Sequence, residues 1–381
     1  MRSVVIGCVL AFALALGFTP AAGAGSPPHR AAPSRPATRA GAPRPPPIAL
    51  HVGPVDYVKL TDVASWLHFR ATRSHGNDRV VLTNRSNPRN RVEFEADSRR
   101  AVVDGLSIYL GNPIVVRRGQ AYVGEVDLWH CLLPLLQPAV LKPPPHPTVI
   151  ALDAGHGGLD NGMENVHLGL REKVLTLDVV NRVKRLLEAD GYRVVLTRKN
   201  DGTLSSDKKK DLAMRTDLAN RAGAQLFLSV HFNSLYPDTK TGGTEVYVYT
   251  PAHQRSSAGL GIGQVDDSKP MQPVNRYDPW SSLFAHEIHR SVLKELRTPD
   301  RGQKTMHLAV LQDLNCPAAL IESVFLSNDA EARLAATPGY RQRIAESLSA
   351  AIREYVGILD AVHRRTDSAV SKPHHRSRSS S

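Results

Sequence analysis

Cysteine is scarce, with three in 381 residues. Cys8 lies in the apolar amino-terminal segment. Cys131 and Cys316 are far apart and lack paired spacing, which excludes a disulfide framework or a cysteine-rich zinc knot. Two buried free thiols are the expectation. No apolar run after residue 24 is long enough to cross a bilayer. Acidic residues are nearly missing from the ends. Residues 25–50 carry Arg30, Arg35, Arg39 and Arg44 and no acid, and the tail sets Arg364, Arg365, Lys372, Arg376 and Arg378 against Asp367. Most of the formal net charge of +12 therefore sits in the two ends. The body lacks the basic, aromatic-interleaved stripe of a nucleic-acid enzyme, so no nucleic-acid partner is expected. Basic ends of this kind either attract anionic polymers and lipid headgroups or are simply solvated.

The first 24 residues have the make-up of a signal peptide: Arg2, an apolar core from Val4 to Phe18, and the small residues Ala22-Gly23-Ala24. They predict export to the periplasm or cell envelope, with no membrane span after cleavage. Residues 25–50 read as a disordered Pro/Arg-rich linker. Residues 51–138 read as a small α+β accessory domain. Its strands are expected at Val55–Leu60, Val80–Leu82, Val92–Phe94, Ala101–Val103, Ile114–Val116 and Ala121–Val123. Its helices are expected at Val63–Leu67, capped by Thr61-Asp62, and at Val126–Leu133. Its histidines, His51, His68, His75 and His130, are scattered and read as surface or half-buried. Residues 139–147 form a Pro-rich linker.

Residues 148–357 alternate strand and helix patterns. Strands are predicted at Val149–Ala154, Tyr192–Leu196, Gln225–Val230 and Pro317–Ile321, and an edge-side strand at Gly243–Tyr249. Helices are predicted from Glu172 to Leu187, Met214 to Ala222, Leu283 to Leu296 and Tyr340 to Leu359. This alternation predicts an α/β domain, a mostly parallel sheet with helices on both faces. The segment 250–280, rich in Gly, Ser, Pro and Gln, reads as a long loop at the rim of the site. Residues 358–381 read as a basic disordered tail.

Four metal-capable side chains stand where apolar elements begin or end. Val149–Ala154 runs into Gly155-His156-Gly157-Gly158, Glu172 opens an amphipathic helix, Leu226–Val230 runs into His231, and Ala318–Ile321 leads to Glu322. His156, Glu172 and His231 make up the three-ligand set of a catalytic zinc site. Taken singly, each has a plain alternative: a turn residue, a helix cap and a core histidine. Glu322 follows a strand too apolar to be exposed, and a buried carboxylate needs a partner. Water activated by a metal is one, for which Glu322 would act as general base and acid. An arginine such as Arg198 or Arg301 is the other. Glu164 and His167, in the turn before Glu172, are further residues within reach of a metal.

Residues 148–357 resemble the zinc-dependent N-acetylmuramoyl-L-alanine amidases of the cell-wall type, with a phosphorylase/hydrolase-like fold. The resemblance rests on Asp153–Gly158, Gly169–Lys173, Leu196-Thr197-Arg198, Ala219–Ala222, Ser229–Asn233, Arg301-Gly302, Pro317–Glu322 and Phe325–Asn328, in that order. It implies zinc on His156, Glu172 and His231, with Glu322 as the catalytic carboxylate. The substrate it implies is peptidoglycan, cut between the lactyl group of muramic acid and L-alanine. Some members of the family are held inactive by an inserted helix until a partner removes it, so a protein activator is a further expected partner. Phe232 and Val324 depart from the family pattern beside site residues and would narrow the groove. Residues 51–138 loosely resemble the N-terminal-domain family first named from copper amine oxidases, with no copper site implied. The rival reading is a non-catalytic or regulatory peptidoglycan-binding protein on the same fold. Loss of a ligand or of the late glutamate would mark it, and all four residues are present.

Overall fold

The computed structural model describes residues 35–38, 42, 44–74, 78–258 and 268–370. The expected leader, His75, the middle of the 250–280 segment and the end of the basic tail lie outside the described residues. The amino-terminal half supplies β1 (Ile48–Val52), β2 (Val55–Lys59), α1 (Leu60–Trp66), β3 (Phe69–Ser74), β4 (Arg79–Asn84), β5 (Arg91–Glu95), β6 (Arg100–Val103), β7 (Leu106–Tyr109), β8 (Val115–Arg117) and β9 (Gln120–Gly124). A π-helical turn, Asp127–Leu132, then leads into α2 (Leu133–Leu136). The second half runs through β10 (Val149–Ala154), β11 (Glu164–Asn165), β12 (Leu170–Arg171), α3 (Glu172–Ala189), β13 (Arg193–Leu196), α4 (Lys208–Arg221), β14 (Leu226–Asn233) and β15 (Thr244–Tyr249). It closes with α5 (Asp278–Leu296), β16 (Asp300–Met306), α6 (Ala309–Gln312), β17 (Ala318–Phe325), α7 (Asp329–Ala336) and α8 (Pro338–Val370).

The expectation of a mostly parallel sheet needs correction. One 11-stranded sheet runs β13-β10-β14-β17-β15-β16-β7-β6-β5-β4-β3. Pairs β10/β13, β10/β14, β14/β17, β15/β16 and β16/β7 are parallel. β15/β17 and every pair from β7 to β3 are antiparallel. The sheet is mixed because β15 runs antiparallel to β17 and because β7 pairs with β16 and carries the ladder into the antiparallel meander. Nor is β15 an edge strand. It lies between β17 and β16 with all six residues buried. Its alternation reflects a polar row, Glu245 with its ion partners, on a covered surface.

Alternate residues of each strand face opposite sides. On one side Ile150, Leu152, Leu228, Val230, Phe232, Ile321 and Val324 join a core filled by α3, α5 and α8. α3 contributes a buried stripe of Leu175, Val179, Val183 and Leu187 and stops before Gly191. Phe284 of α5 meets Tyr355 of α8 with ring centroids 5.1 Å apart, and truncating either to alanine would cost about 3–5 kcal/mol. The same core continues through Val92, Phe94, Ile108, Leu132 and Leu133 of the amino-terminal half. On the other side a smaller cluster of Ala151, Phe227, Tyr249, Leu311 and Leu320 packs near α4 and α6. Cys131 and Cys316 are buried and unbridged.

The Pro-rich stretch is fixed in place. The Trp280 indole N–H donates to the Lys142 carbonyl at 3.0 Å, and His363 Nε2 lies 2.9 Å from the Pro144 carbonyl. α8 continues beyond residue 357 because Leu359 and Val362 extend its buried stripe, so the expected disordered tail does not begin at 358. Three local expectations also fail. α1 begins at Leu60 with no side-chain cap, so Thr61-Asp62 does not cap it. α4 begins earlier than its apolar pattern suggests, because Asp207 caps it by accepting from the Lys210 N–H. His130 is buried rather than half-buried, 3.1 Å from Asp278.

Candidate metal centre

β10, β14 and β17 lie side by side and parallel, so their carboxyl ends share one edge, where open α/β sheets place ligands. The turn after β10 puts His156 in the left-handed region, φ 63°. Such a conformation costs a non-glycine residue energy and persists only where the surroundings enforce it. Here Arg215 Nη2 holds the His156 carbonyl at 2.8 Å, and Asp160 Oδ2 lies 3.0 Å from Nδ1. The other ring nitrogen, Nε2, lies 3.1 Å from Glu172 Oε2.

Glu172 opens α3 and is buried. Its Oε1 accepts from the Phe232 N–H at 3.0 Å and lies 3.0 Å from His231 Nδ1, while Oε2 accepts from the Met163 N–H at 2.8 Å. The two imidazoles stand edge to face with centroids 4.9 Å apart. One donor atom from each of His156, Glu172 and His231 lies within 4.8 Å of the others. Two glycines make room for this approach. A Cβ on Gly155 would sit 2.2 Å from the His231 ring, and one on Gly162 would sit 2.5 Å from Glu172 Oε2.

The electrostatics fit a site built for a cation. Burial alone would lower the His156 imidazole, but the charges and hydrogen bonds of Glu172 and Asp160 together outweigh it and raise it to about 10. Burial would raise Glu172, and His156 and His231 hold it well below the usual carboxylate range instead. Glu322, in register with His231, is 4% exposed. Its Oε2 has no hydrogen-bond partner among the described residues. Burial, then the charges of Glu172 and Glu245, push its carboxyl well above the ordinary range. The arginine alternative fails. Arg198 is spent on backbone carbonyls, and Arg301 is paired with Glu245.

The four predicted residues therefore come together, with two adjustments of position. β14 continues past His231 to Asn233, with a register shift against β17, and Glu322 lies inside β17 rather than after a strand. Glu164 and His167 are exposed and stay outside the cluster, and Glu164 pairs with Arg171 at 3.5 Å. Phe232 and Val324 do not narrow the groove, because both side chains are buried in the core under α3 and α5.

Sequence reasoning missed the polar support beneath the site. Asp153 accepts from Thr197 Oγ1 at 2.6 Å, Ser229 Oγ at 2.6 Å and Arg215 Nη1 at 2.9 Å. Arg215 also pairs with Asp211 at 2.8 Å and donates to the Ala154 carbonyl at 2.9 Å. Arg198 gathers the carbonyls of Ala154, Gly155 and Lys173. Burial would raise Asp153, but Arg215 and the two hydroxyls hold it below its ordinary value. One signal in the sequence was Asp153 itself, an acid near the end of an otherwise apolar strand. Asp160, four residues after His156, was a second.

An α/β domain that converges two imidazoles and a carboxylate beside a buried acid has the make-up of a hydrolase able to hold a metal. Residues 150–354 match the N-acetylmuramoyl-L-alanine amidase family. The chain belongs to that family, which places it among the peptidoglycan amidases. It is 31% identical over 216 residues to the germination-specific N-acetylmuramoyl-L-alanine amidase of Bacillus subtilis, covering 54% of this chain and 79% of that protein. It is also 31% identical over 210 residues to the endolysin of Bacillus phage SPP1, covering 55% and 66%. Among solved structures it is similar to the catalytic domain of CwlV, an N-acetylmuramoyl-L-alanine amidase from Bacillus (Paenibacillus) polymyxa var. colistinus. There the identity is 26%, the TM-score 0.45, and the coverage 55% of this chain and 99% of that one.

Proposed function

We propose that the protein is an exported, zinc-dependent amidase that hydrolyses the amide between the lactyl group of muramic acid and the L-alanine of the stem peptide. The observation that carries this reading is the convergence of His156, Glu172 and His231 beside the buried acid Glu322. Two imidazoles and a carboxylate suit zinc, and three protein donors are the number found in catalytic rather than structural sites. Zinc bound there would supply Lewis-acid polarisation of the scissile carbonyl and a lowered pKa for water.

Glu322 does the proton work. Its carboxylate takes a proton from the attacking water as the water oxygen bonds to the carbonyl carbon. It returns that proton to the amide nitrogen as the C–N bond breaks, leaving a lactyl carboxylic acid, which then loses its proton to solvent, and a free L-alanine amine. Burial suits the acid half of this cycle, because a carboxyl pushed above its usual range keeps its proton until the amine departs. Asp160 orients the His156 ring through Nδ1.

We further propose that residues 1–24 direct export to the periplasm or cell envelope, and that the amino-terminal half positions the enzyme on the wall. No helix among the described residues is long and apolar enough to cross a membrane. Peptidoglycan is the proposed partner. A protein activator remains a proposal from the family resemblance, and the described flanks of the 250–280 segment form no α-helix before α5.

The test is Glu322→Gln, which keeps the side-chain shape and removes the base. Release of stem peptides from purified sacculi should fall by about 10²–10⁴-fold, with zinc uptake retained. Undiminished release would overturn the assigned role.

A further inference from the structure

The row of side chains that begins at His231 and Glu322 does not end there. Glu245 lies directly across from Glu322 on β15, and Tyr247 of the same strand is in register with Lys304 of β16. Glu245 is buried and heavily used. Its Oε1 accepts from Asn233 Nδ2 and, at 2.7 Å, from the Tyr247 hydroxyl. Its Oε2 takes both Lys304 Nζ and, at 3.2 Å, Arg301 Nε. One carboxylate thus faces two cations.

Lys304 is enclosed. Its ammonium sits over the rings of Tyr109 and Tyr247, at 5.7 Å and 5.8 Å from their centroids, and its side chain is 15% exposed. Tyr109 comes from the amino-terminal half and lies against Gly302, where a Cβ would meet its ring at 2.5 Å. Arg301 differs. Its side chain is 31% exposed, and its guanidinium lies 4.8 Å from the centroid of Phe325. Among the described residues its Nη1 and Nη2 donate to nothing, since only Nε is engaged. An aromatic face and one carboxylate hold the plane of the guanidinium, and the fork is left open.

We propose that Arg301 is a specificity-determining residue that binds the free carboxylate of the stem-peptide residue following L-alanine. The inference rests on the amidase reading above. Because Arg301 reaches from β16 to Glu245 on β15, the strand beside Glu322, its guanidinium sits between one and two strand spacings, roughly 5–10 Å, to the side of the catalytic carboxyl. An extended residue spans roughly 3.3 Å, so a peptide with its first amide at Glu322 brings the next residue to the open fork. A planar guanidinium with two free nitrogens matches a carboxylate in bidentate geometry and discriminates against a neutral amide.

The experiment compares two muramoyl tripeptides, one with a free α-carboxylate on the second residue and one with that group amidated, using the full chain. The wild type should favour the carboxylate form by about tenfold or more in kcat/KM. In Arg301→Gln the ratio of the two kcat/KM values should fall to near one. Arg301→Lys, which keeps the charge and loses the fork, should retain an intermediate preference. Thermal melts and zinc content of both variants establish folding. Equal kcat/KM for both substrates in the wild type, or an unchanged ratio in Arg301→Gln, would overturn the proposal. Wild-type turnover of either substrate upholds the amidase reading independently.

Discussion

The two ends of the eleven-stranded sheet share one hydrogen-bond ladder and behave as different materials. In β13, β10, β14 and β17 every pair is parallel, and the chain must cross over between strands through helices. Those crossovers bring three strand ends to a single edge, and every turn leaving that edge is available for chemistry. In β7 to β3 every pair is antiparallel, and tight connections return the chain at once. There one face is buried and the other is solvated, as the alternating exposure of β4, β5 and β6 shows. The solvated face carries Arg79 and Arg91 paired with Glu93, but among the described residues no converging donor set. Connectivity, more than composition, decides which end can assemble a site.

That contrast predicts different responses to losing a charge. The largest effect belongs beneath the metal centre. Arg215→Met would leave Asp153 and Asp211 buried without their cation and release the His156 carbonyl. Breaking a buried pair in this way costs about 3–5 kcal/mol, and zinc uptake should weaken with it. Denaturant melts that place the variant within about 1 kcal/mol of wild type would show that the turn holds its shape without the network. At the other end, Arg79→Ala removes a half-exposed partner of Glu93, which keeps Arg91. The same melts should register about 0.5 kcal/mol or less. A loss as large as that of Arg215→Met would erase the distinction between the two ends.

The parallel end was also the more legible one. β10, α3, β14 and β17 each combine a long apolar pattern with an abrupt polar stop, and those stops are His156, Glu172, His231 and Glu322. Local pattern and tertiary role coincide there, because the residue that ends the apolar run is also the residue at the shared edge. β16 was not legible. Its sequence, Asp300-Arg301-Gly302-Gln303-Lys304-Thr305-Met306, is polar and contains a glycine, and it is a strand only because β15 and β7 pair with it on either side. β15 was found but placed at the edge, because Glu245 reads as a solvated residue until Lys304 and Arg301 are seen beside it. Nothing local announces that Pro143 to Pro147 would be pinned by α5 and α8 and leave the sheet continuous. In the sequence Arg198 reads only as a partner for Glu322 and Arg215 draws no notice, and only the packed turn shows them to be its scaffold.

The central claim is that His156, Glu172 and His231 hold one zinc ion. Calorimetric titration of the full chain with zinc tests it most directly. One ion per chain is expected, and none detectable at the same concentrations in His231→Ala. Uptake near neutral pH should release a proton, because His156 is held up to about 10 without the metal and must be neutral to ligate it. Zinc binding in His231→Ala with wild-type stoichiometry and affinity, or no uptake by the wild type, would contradict the account.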